Sequence, residues 1–151
     1  MKGQLFLVAS VAGRNIALPA ADVGSVSELE KVSPVPGAPD WIEGVGAQRS
    51  QALTVIDCRR AIGLPEREEA VAHDARCIVI KSDEHLYALR TDTICDVTIA
   101  TSDQAPLPKG LGPEWQSVAM GVVETVFGPA ISLDLPALLA GPDRSMAKRA
   151  A

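Results

Sequence analysis

Two stretches of this chain each return once, in the same order and at nearly the same spacing. Ile16-Ala17-Leu18 through Val23 and Val26 lies over Tyr87-Ala88-Leu89 through Ile94 and Val97. Gly44-Val45 through Val55-Ile56-Asp57 lies over Gly121-Val122 through Ser132-Leu133-Asp134. Similar residues at matched positions imply similar backbone paths, so the chain is constrained to fold as two copies of one small β unit packed together. The second copy is a few residues longer, and the extra length falls in the Gly/Pro-rich stretch Ser102–Gly112. Such a duplication points to equivalent surfaces on a scaffold rather than to a catalytic pocket.

Local patterns predict the elements of each copy. Leu5–Val11 and Ile16–Leu18 flank Gly13-Arg14-Asn15, a β-turn composition, and read as a hairpin. Val23–Leu29 continues as extended chain until Pro34, Pro36 and Pro39 impose an ordered loop. Trp41–Val45 leads into one strand, and the β-branched Ala52–Ile56 forms another. Asp57 at an N-cap and Gly63 past the end bracket a short helical turn; Asp134, Pro136 and Gly141 repeat the device. In the second copy Cys77–Lys81, Leu86–Leu89, Cys95–Ile99, Val118–Thr125 and Ala130–Leu133 are predicted strands. Glu66–Asp74 is charged and alanine-rich and reads as an exposed connector between the copies. Short strands at regular spacing, punctuated by 12 glycines and 11 prolines, predict an all-β barrel or sandwich with helix confined to the capped turns. Closing each unit into a small barrel would hide most strand edges.

Bulk properties remove several function classes. A chain of 151 residues suits one domain, or two very small subdomains sharing a core. A net charge of −5 disfavours a phosphate backbone or anionic lipid as partner, and two Trp, one Tyr and two Phe leave few base-stacking platforms. Nucleic acid is therefore not an expected partner. Three cysteines without a C-x-x-C suit reduced thiols better than a disulfide framework. The apolar runs fall short of the ~20 residues a membrane helix needs, so direct membrane insertion is not expected. Lys2 and Leu5–Ala9 followed by Ser10-Val11-Ala12 imitate a signal peptide. A first strand is the better reading, because Cys77–Lys81 stands in the same place before the second echo.

Little in the sequence carries reaction chemistry. Gly44-Val45-Gly46 lacks the third glycine and the helix of a dinucleotide fingerprint. Lys109-Gly110-Leu111-Gly112 is not a phosphate loop, and no G-x-S-x-G elbow makes a nucleophile of Ser25 or Ser27. His73 and His85, beside Asp74 and Glu84, read as solvated residues in connecting segments, and no cofactor or metal set is expected. Asp57 and Asp134 already have capping roles. What remains is a polar pair, Glu28 at a strand end and Arg49 (with Gln48) in the turn before Ala52–Ile56. It could offer bidentate hydrogen bonding, or be a surface ion pair contributing about 0–1 kcal/mol.

The chain resembles the CheW-like coupling proteins of bacterial chemotaxis from about Gln4 to Leu139. Its first copy carries the resemblance in Ile16-Ala17-Leu18-Pro19, Val23, Val26-Ser27-Glu28-Leu29, Pro36, Ile42-Glu43-Gly44-Val45, Arg49 and Val55-Ile56-Asp57-Cys58-Arg59. Gly63-Leu64, Ala88-Leu89, Asp92, Ile94, Val97, Gly121-Val122, Leu133-Asp134 and Leu138-Leu139 continue it. The resemblance implies two five-stranded SH3-like β-barrel subdomains around a shared hydrophobic core, with residues 1–141 as one domain and 142–151 as a mobile tail. It further implies a non-enzymatic cytoplasmic adaptor linking the tip of a methyl-accepting chemoreceptor to the regulatory domain of a histidine autokinase. A Glu/Arg pair of the family matches Glu28 and Arg49, and the implied protein-binding face comprises Glu28, Leu29, Val45, Gln48 and Arg49. The family pattern at the arginine is usually Asn-Leu-Arg-Gly, whereas this chain has Ala47-Gln48-Arg49-Ser50. Without the glycine, a turn residue with φ > 0 is costly.

Two alternatives stay open. One is a β-barrel adaptor of another motility or two-component pathway. The other is a small enzyme using the inter-barrel cleft, with Asp57, His85 or Cys95.

Overall fold

Leu5–Val11 is apolar on both of its faces, which a strand tolerates only where both faces are covered. The computed structural model, which describes residues 2–65 and 73–142, supplies both covers. Among the described residues ten strands run in chain order as β1 (Leu5–Val11), β2 (Arg14–Pro19), β3 (Val23–Glu28), β4 (Ile42–Gln48), β5 (Gln51–Asp57), β6 (Arg76–Ser82), β7 (His85–Arg90), β8 (Thr93–Ile99), β9 (Ala119–Thr125) and β10 (Gly128–Leu133). Among the same described residues a 3-10 turn, Ala20–Asp22, precedes β3, and three short α-helices follow β5, precede β9 and follow β10: α1 (Cys58–Ile62), α2 (Pro113–Gln116) and α3 (Leu135–Leu139). The signal-peptide look-alike is thus strand β1, hydrogen-bonded to β2 on one side and β8 on the other.

The strands assemble into two five-stranded sheets, β8-β1-β2-β10-β9 and β3-β6-β7-β5-β4. Each sheet takes two strands from one copy and three from the other, so neither belongs to one half of the chain. The duplication nevertheless governs every pairing. The parallel pair Ile131↔Ile16 in the first sheet is Thr54↔Tyr87 in the second. The ladder between β1 and β8 bulges at Val8/Ala9, and its counterpart between β3 and β6 bulges at Val23/Ser25. A glycine is forced by close approach at matched positions. A Cβ on Gly44 would lie 2.3 Å from the Ser33 carbonyl oxygen, and one on Gly121 would lie 2.5 Å from that of Ala105.

Side-chain alternation then distributes the core. Leu7, Ala9 and Val11 of β1 and Ile78 and Ile80 of β6 enter one shared cluster with Ile16, Leu18, Ile56, Leu89 and Leu133. The opposite faces of the same strands fill two satellites. Phe6 joins Ala17, Val123 and Ala130 in the first sheet, while Cys77 and Val79 join Leu53, Val55 and Ala88 in the second. Each sheet therefore wraps its own interior and shares its back with the other.

Closure of each sheet comes from the chain that leaves its edge strand. After β8, Thr101 N–H donates to the Glu124 carbonyl at 2.9 Å, and Ala105 exchanges backbone bonds with Val122 on β9. After β3, Glu30 N–H reaches the Ala47 carbonyl at 3.3 Å, and Ser33 exchanges two 2.9 Å bonds with Val45 on β4. The capped turns are as the sequence predicts: the Asp57 and Asp134 carboxylates accept from the N–H groups of Arg60 and Ala137. Helix α2 is not predicted by any pattern in the chain. It follows directly on the extra length of the second copy, Ser102–Gly112, and delivers Trp115 into the shared core. Most of the Glu66–Asp74 connector lies outside the described residues, as does the tail after Pro142.

Candidate functional site

The sequence-chosen residues gather where the second sheet curls shut. Glu28 ends β3 with its side chain exposed, and its ladder partner is Arg76 on β6. Leu29, the next residue, is half-buried and packs with Val32 on the interior cluster of Leu53 and Val79. Val45 stands 39% exposed on β4, while its backbone is tied to Ser33. One residue separates it from Ala47, which accepts the closing bond from Glu30.

Gln48 joins the two edges. Its Nε2 donates to Ser27 Oγ at 2.6 Å and lies 3.1 Å from Ser25 Oγ, both on β3. Because β3 and β4 are the outermost strands of the sheet, this side chain bridges a gap that no ladder spans. Arg49 and Ser50 then form a two-residue hairpin turn with φ of +50° and +66°, between the last β4–β5 pair, Gln48↔Gln51. Left-handed geometry at both central residues is what a type I′ turn demands, and glycine or asparagine usually meets it. Here Arg and Ser do, at a cost of roughly 1–2 kcal/mol per residue. Arg49 projects from that turn into solvent. Among the described residues no ion pair joins Glu28 to Arg49.

Other charges are committed to structure. Arg90 at the end of β7 makes a bidentate pair with Glu43 on β4, at 3.2 and 2.8 Å, with only 12% of the arginine side chain exposed. The carboxylate raises the Arg90 pKa above its usual value and anchors β4 at its bulge. Asp74 accepts from both the backbone and the guanidinium of Arg76 and from the Ile94 N–H. The Arg76 hydrogen bonds are the main reason its pKa falls to about 2. Asp74 is thus a clasp between β6 and β8 rather than part of an exposed connector. Sequence reasoning missed the Glu43–Arg90 pair. The signal lay in the repeat, which puts Met120 and Pro19 at the matching places.

The groups named for an enzymatic reading do not converge. Asp57 is occupied by Arg60, and Cys95 sits on β8 in the other sheet from His85. His85 opens β7 rather than lying in a connecting segment, and His73 is exposed before β6. With Glu84 and Lys81, His85 lines an open groove of about 530 Å³ that includes neither Asp57 nor Cys95. Burial drives the Cys58 thiol far above its usual pKa and pushes Cys77 up to about 11, so both behave as small apolar core residues. Among the described residues no three His, Cys, Asp or Glu side chains are grouped to hold a metal, and no helix is long and apolar enough to cross a membrane.

Fold and site together define a duplicated, two-sheet β module whose distinguishing surface is a charged, hydrogen-bonded rim. Comparison with known proteins makes the class specific. The model of the CheW-like domain matches residues 5–142, so the chain belongs to the CheW-like family. It is 30% identical over 110 residues to the chemotaxis protein CheW of Bacillus subtilis (strain 168), spanning 72% of this chain and 69% of that protein. The crystal structure of a CheW scaffolding protein from Thermoanaerobacter tengcongensis has the same fold, with a TM-score of 0.73. That match has 20% identity and covers 87% of this chain and 89% of the other.

Proposed function

We propose that this chain is a non-enzymatic chemotaxis adaptor that couples the cytoplasmic tip of a methyl-accepting chemoreceptor to the regulatory domain of a histidine autokinase. Membership of the CheW-like family supports the class of activity. The observation that carries the finer reading is the rim of the second sheet. There Glu28 and Arg49 stand exposed on segments fixed to one another, without an ion pair between them. A carboxylate and a guanidinium so placed can each take an opposite charge from a partner, with the bidentate geometry that arginine offers. Leu29 and Val45 add apolar area beside them.

Each contact in this reading is modest, at or below the roughly 800 Å² per partner of a standard interface, and repetition in an array supplies avidity. The adaptor works in the cytoplasm beside the receptors and performs no turnover of its own. Arg49→Glu reverses the charge on an exposed turn and leaves the core untouched. The expected result is loss of co-pelleting with kinase and receptor-containing membranes, with circular dichroism and melting temperature unchanged. A variant that still co-pellets like the parent removes Arg49 from the interface. A pull-down from native cytoplasm that captures neither a histidine kinase nor receptor peptides refutes the assignment as a whole.

A further inference from the structure

The two sheets close differently, although their strands correspond one to one. In the first sheet, Thr101 N–H donates to the Glu124 carbonyl at 2.9 Å. The Ser102 hydroxyl also accepts from Glu124 N–H at 3.0 Å and the Thr101 hydroxyl donates to the Glu124 carbonyl at 3.2 Å, so a short backbone bond and two connector hydroxyls fasten this edge to the backbone of β9, with no β9 side chain taking part. The matching backbone bond in the second sheet, Glu30 N–H to the Ala47 carbonyl, is stretched to 3.3 Å. There the edge is drawn in by a side chain, Gln48, acting on Ser27 and Ser25. Thr125, the residue that matches Gln48, instead turns its hydroxyl onto Gly128 and Phe127 within its own hairpin.

From this asymmetry we infer that Gln48 is the positioning residue of the docking rim: its amide latches β3 to β4 and sets the spacing between Glu28 and Arg49. The inference rests on the adaptor reading for the meaning of that spacing, but not for the latch itself. Gln48 flanks the turn that carries Arg49, and Ser27 adjoins Glu28 on β3, so each end of the latch is one residue from a charged docking group. The backbone bond beside it is slightly long at 3.3 Å, and the two 2.9 Å bonds between Ser33 and Val45 lie further along the edge, away from Glu28 and the Arg49 turn. The latch also immobilises the flank of a turn whose two central residues are left-handed without glycine. A strained turn of this kind persists only where its surroundings over-determine it. Gln48 thereby acts on partner binding without being the surface the partner touches.

The test is a double-mutant cycle of Gln48→Ala and Ser27→Ala on the full chain. Affinities are measured for a histidine kinase regulatory domain and for a receptor-tip peptide. Amide NMR spectra of the unbound variants are recorded in parallel. Each single variant is expected to weaken binding about tenfold, and the pair no further, because both remove the 2.6 Å bond that dominates the latch over the longer one to Ser25. In the unbound variants the amides of Leu29, Glu30, Arg49 and Ser50 shift or broaden, while those of the first sheet stay in place. Binding losses that add, with unmoved rim amides, make Gln48 a contact residue and overturn the inference. Unchanged binding in Ser27→Ala overturns it as well. If the parent binds neither partner, the adaptor reading fails, and the NMR arm alone then decides whether the latch exists.

Discussion

Gly44→Ala tests the duplicated construction at its tightest point. The added Cβ would sit 2.3 Å from the Ser33 carbonyl oxygen, 2.8 Å from its carbon and 3.2 Å from the Pro34 Cα, all of them backbone atoms that cannot rotate away. Relief requires the 33–34 segment to lift by about 1 Å toward ordinary contact distance. That movement breaks the two 2.9 Å bonds exchanged between Ser33 and Val45. Each is worth about 1 kcal/mol net, and residual overpacking adds about 1 kcal/mol more. Lower entropy of the unfolded chain returns 0.4–1 kcal/mol, roughly. The net expectation is a loss of about 2 kcal/mol, read as a lower urea midpoint at unchanged slope and a fall in Tm of roughly 4–8 °C. Gly121→Ala should lose a comparable amount against Ala105, eased where the Gln104 side chain can swing aside. Gly24→Ala is the control, because its Cβ would meet the Val79 carbonyl oxygen at an ordinary 3.4 Å. A Gly44→Ala variant within 0.5 kcal/mol, roughly, of the parent, or a control equally destabilised, refutes the close-approach argument.

Glu43→Met should cost about 2–3 kcal/mol in urea unfolding, since Arg90 keeps a charge it can scarcely hydrate. The double variant Glu43→Met/Arg90→Leu should recover most of that loss; a double variant worse than the single contradicts this. Asp74 has a folded pKa of about 2, below its usual 3.8. Its contribution is therefore complete above about pH 4 and lost as pH falls toward 2. With Arg76 half exposed, screening limits it to about 1 kcal/mol. Asp74→Asn should flatten the stability curve across that window, and an unchanged acid limb would argue against the clasp. Ser50→Gly, at a residue with φ +66°, should raise stability by about 0.5–1 kcal/mol, the relief of left-handed strain less the entropy glycine adds to the unfolded chain; differential scanning calorimetry measures it.

Much of the architecture was legible because it was written twice. Ile16 over Tyr87 and Val55 over Ser132 identified strand equivalents, and their parallel partners proved equivalent too. Asp57 and Asp134 were readable as caps because a carboxylate before a short apolar stretch ending in glycine has one local use. Sheet membership was not readable. Nothing local says that β1 pairs with β8 across most of the chain, since that choice depends on which buried faces meet. Helix α2 was hidden for a related reason: it has no side-chain cap, and its position is set by Trp115 entering a core built by distant strands. At the rim, Glu28, Leu29, Val45, Gln48 and Arg49 could be named from the sequence. The bridge from Gln48 to Ser27 could not, because it depends on the curl of the sheet.

The exchange of strands between the copies has a consequence for how such a molecule can arise and come apart. Severed within residues 66–72, it would give two pieces, each holding hairpins whose hydrogen-bonding mates lie on the other. Neither piece could satisfy its own backbone, and mixing them should regenerate the whole. In geometry this is a domain-swapped dimer whose subunits have been fused end to end, and unfolding either copy strips partner strands from both sheets.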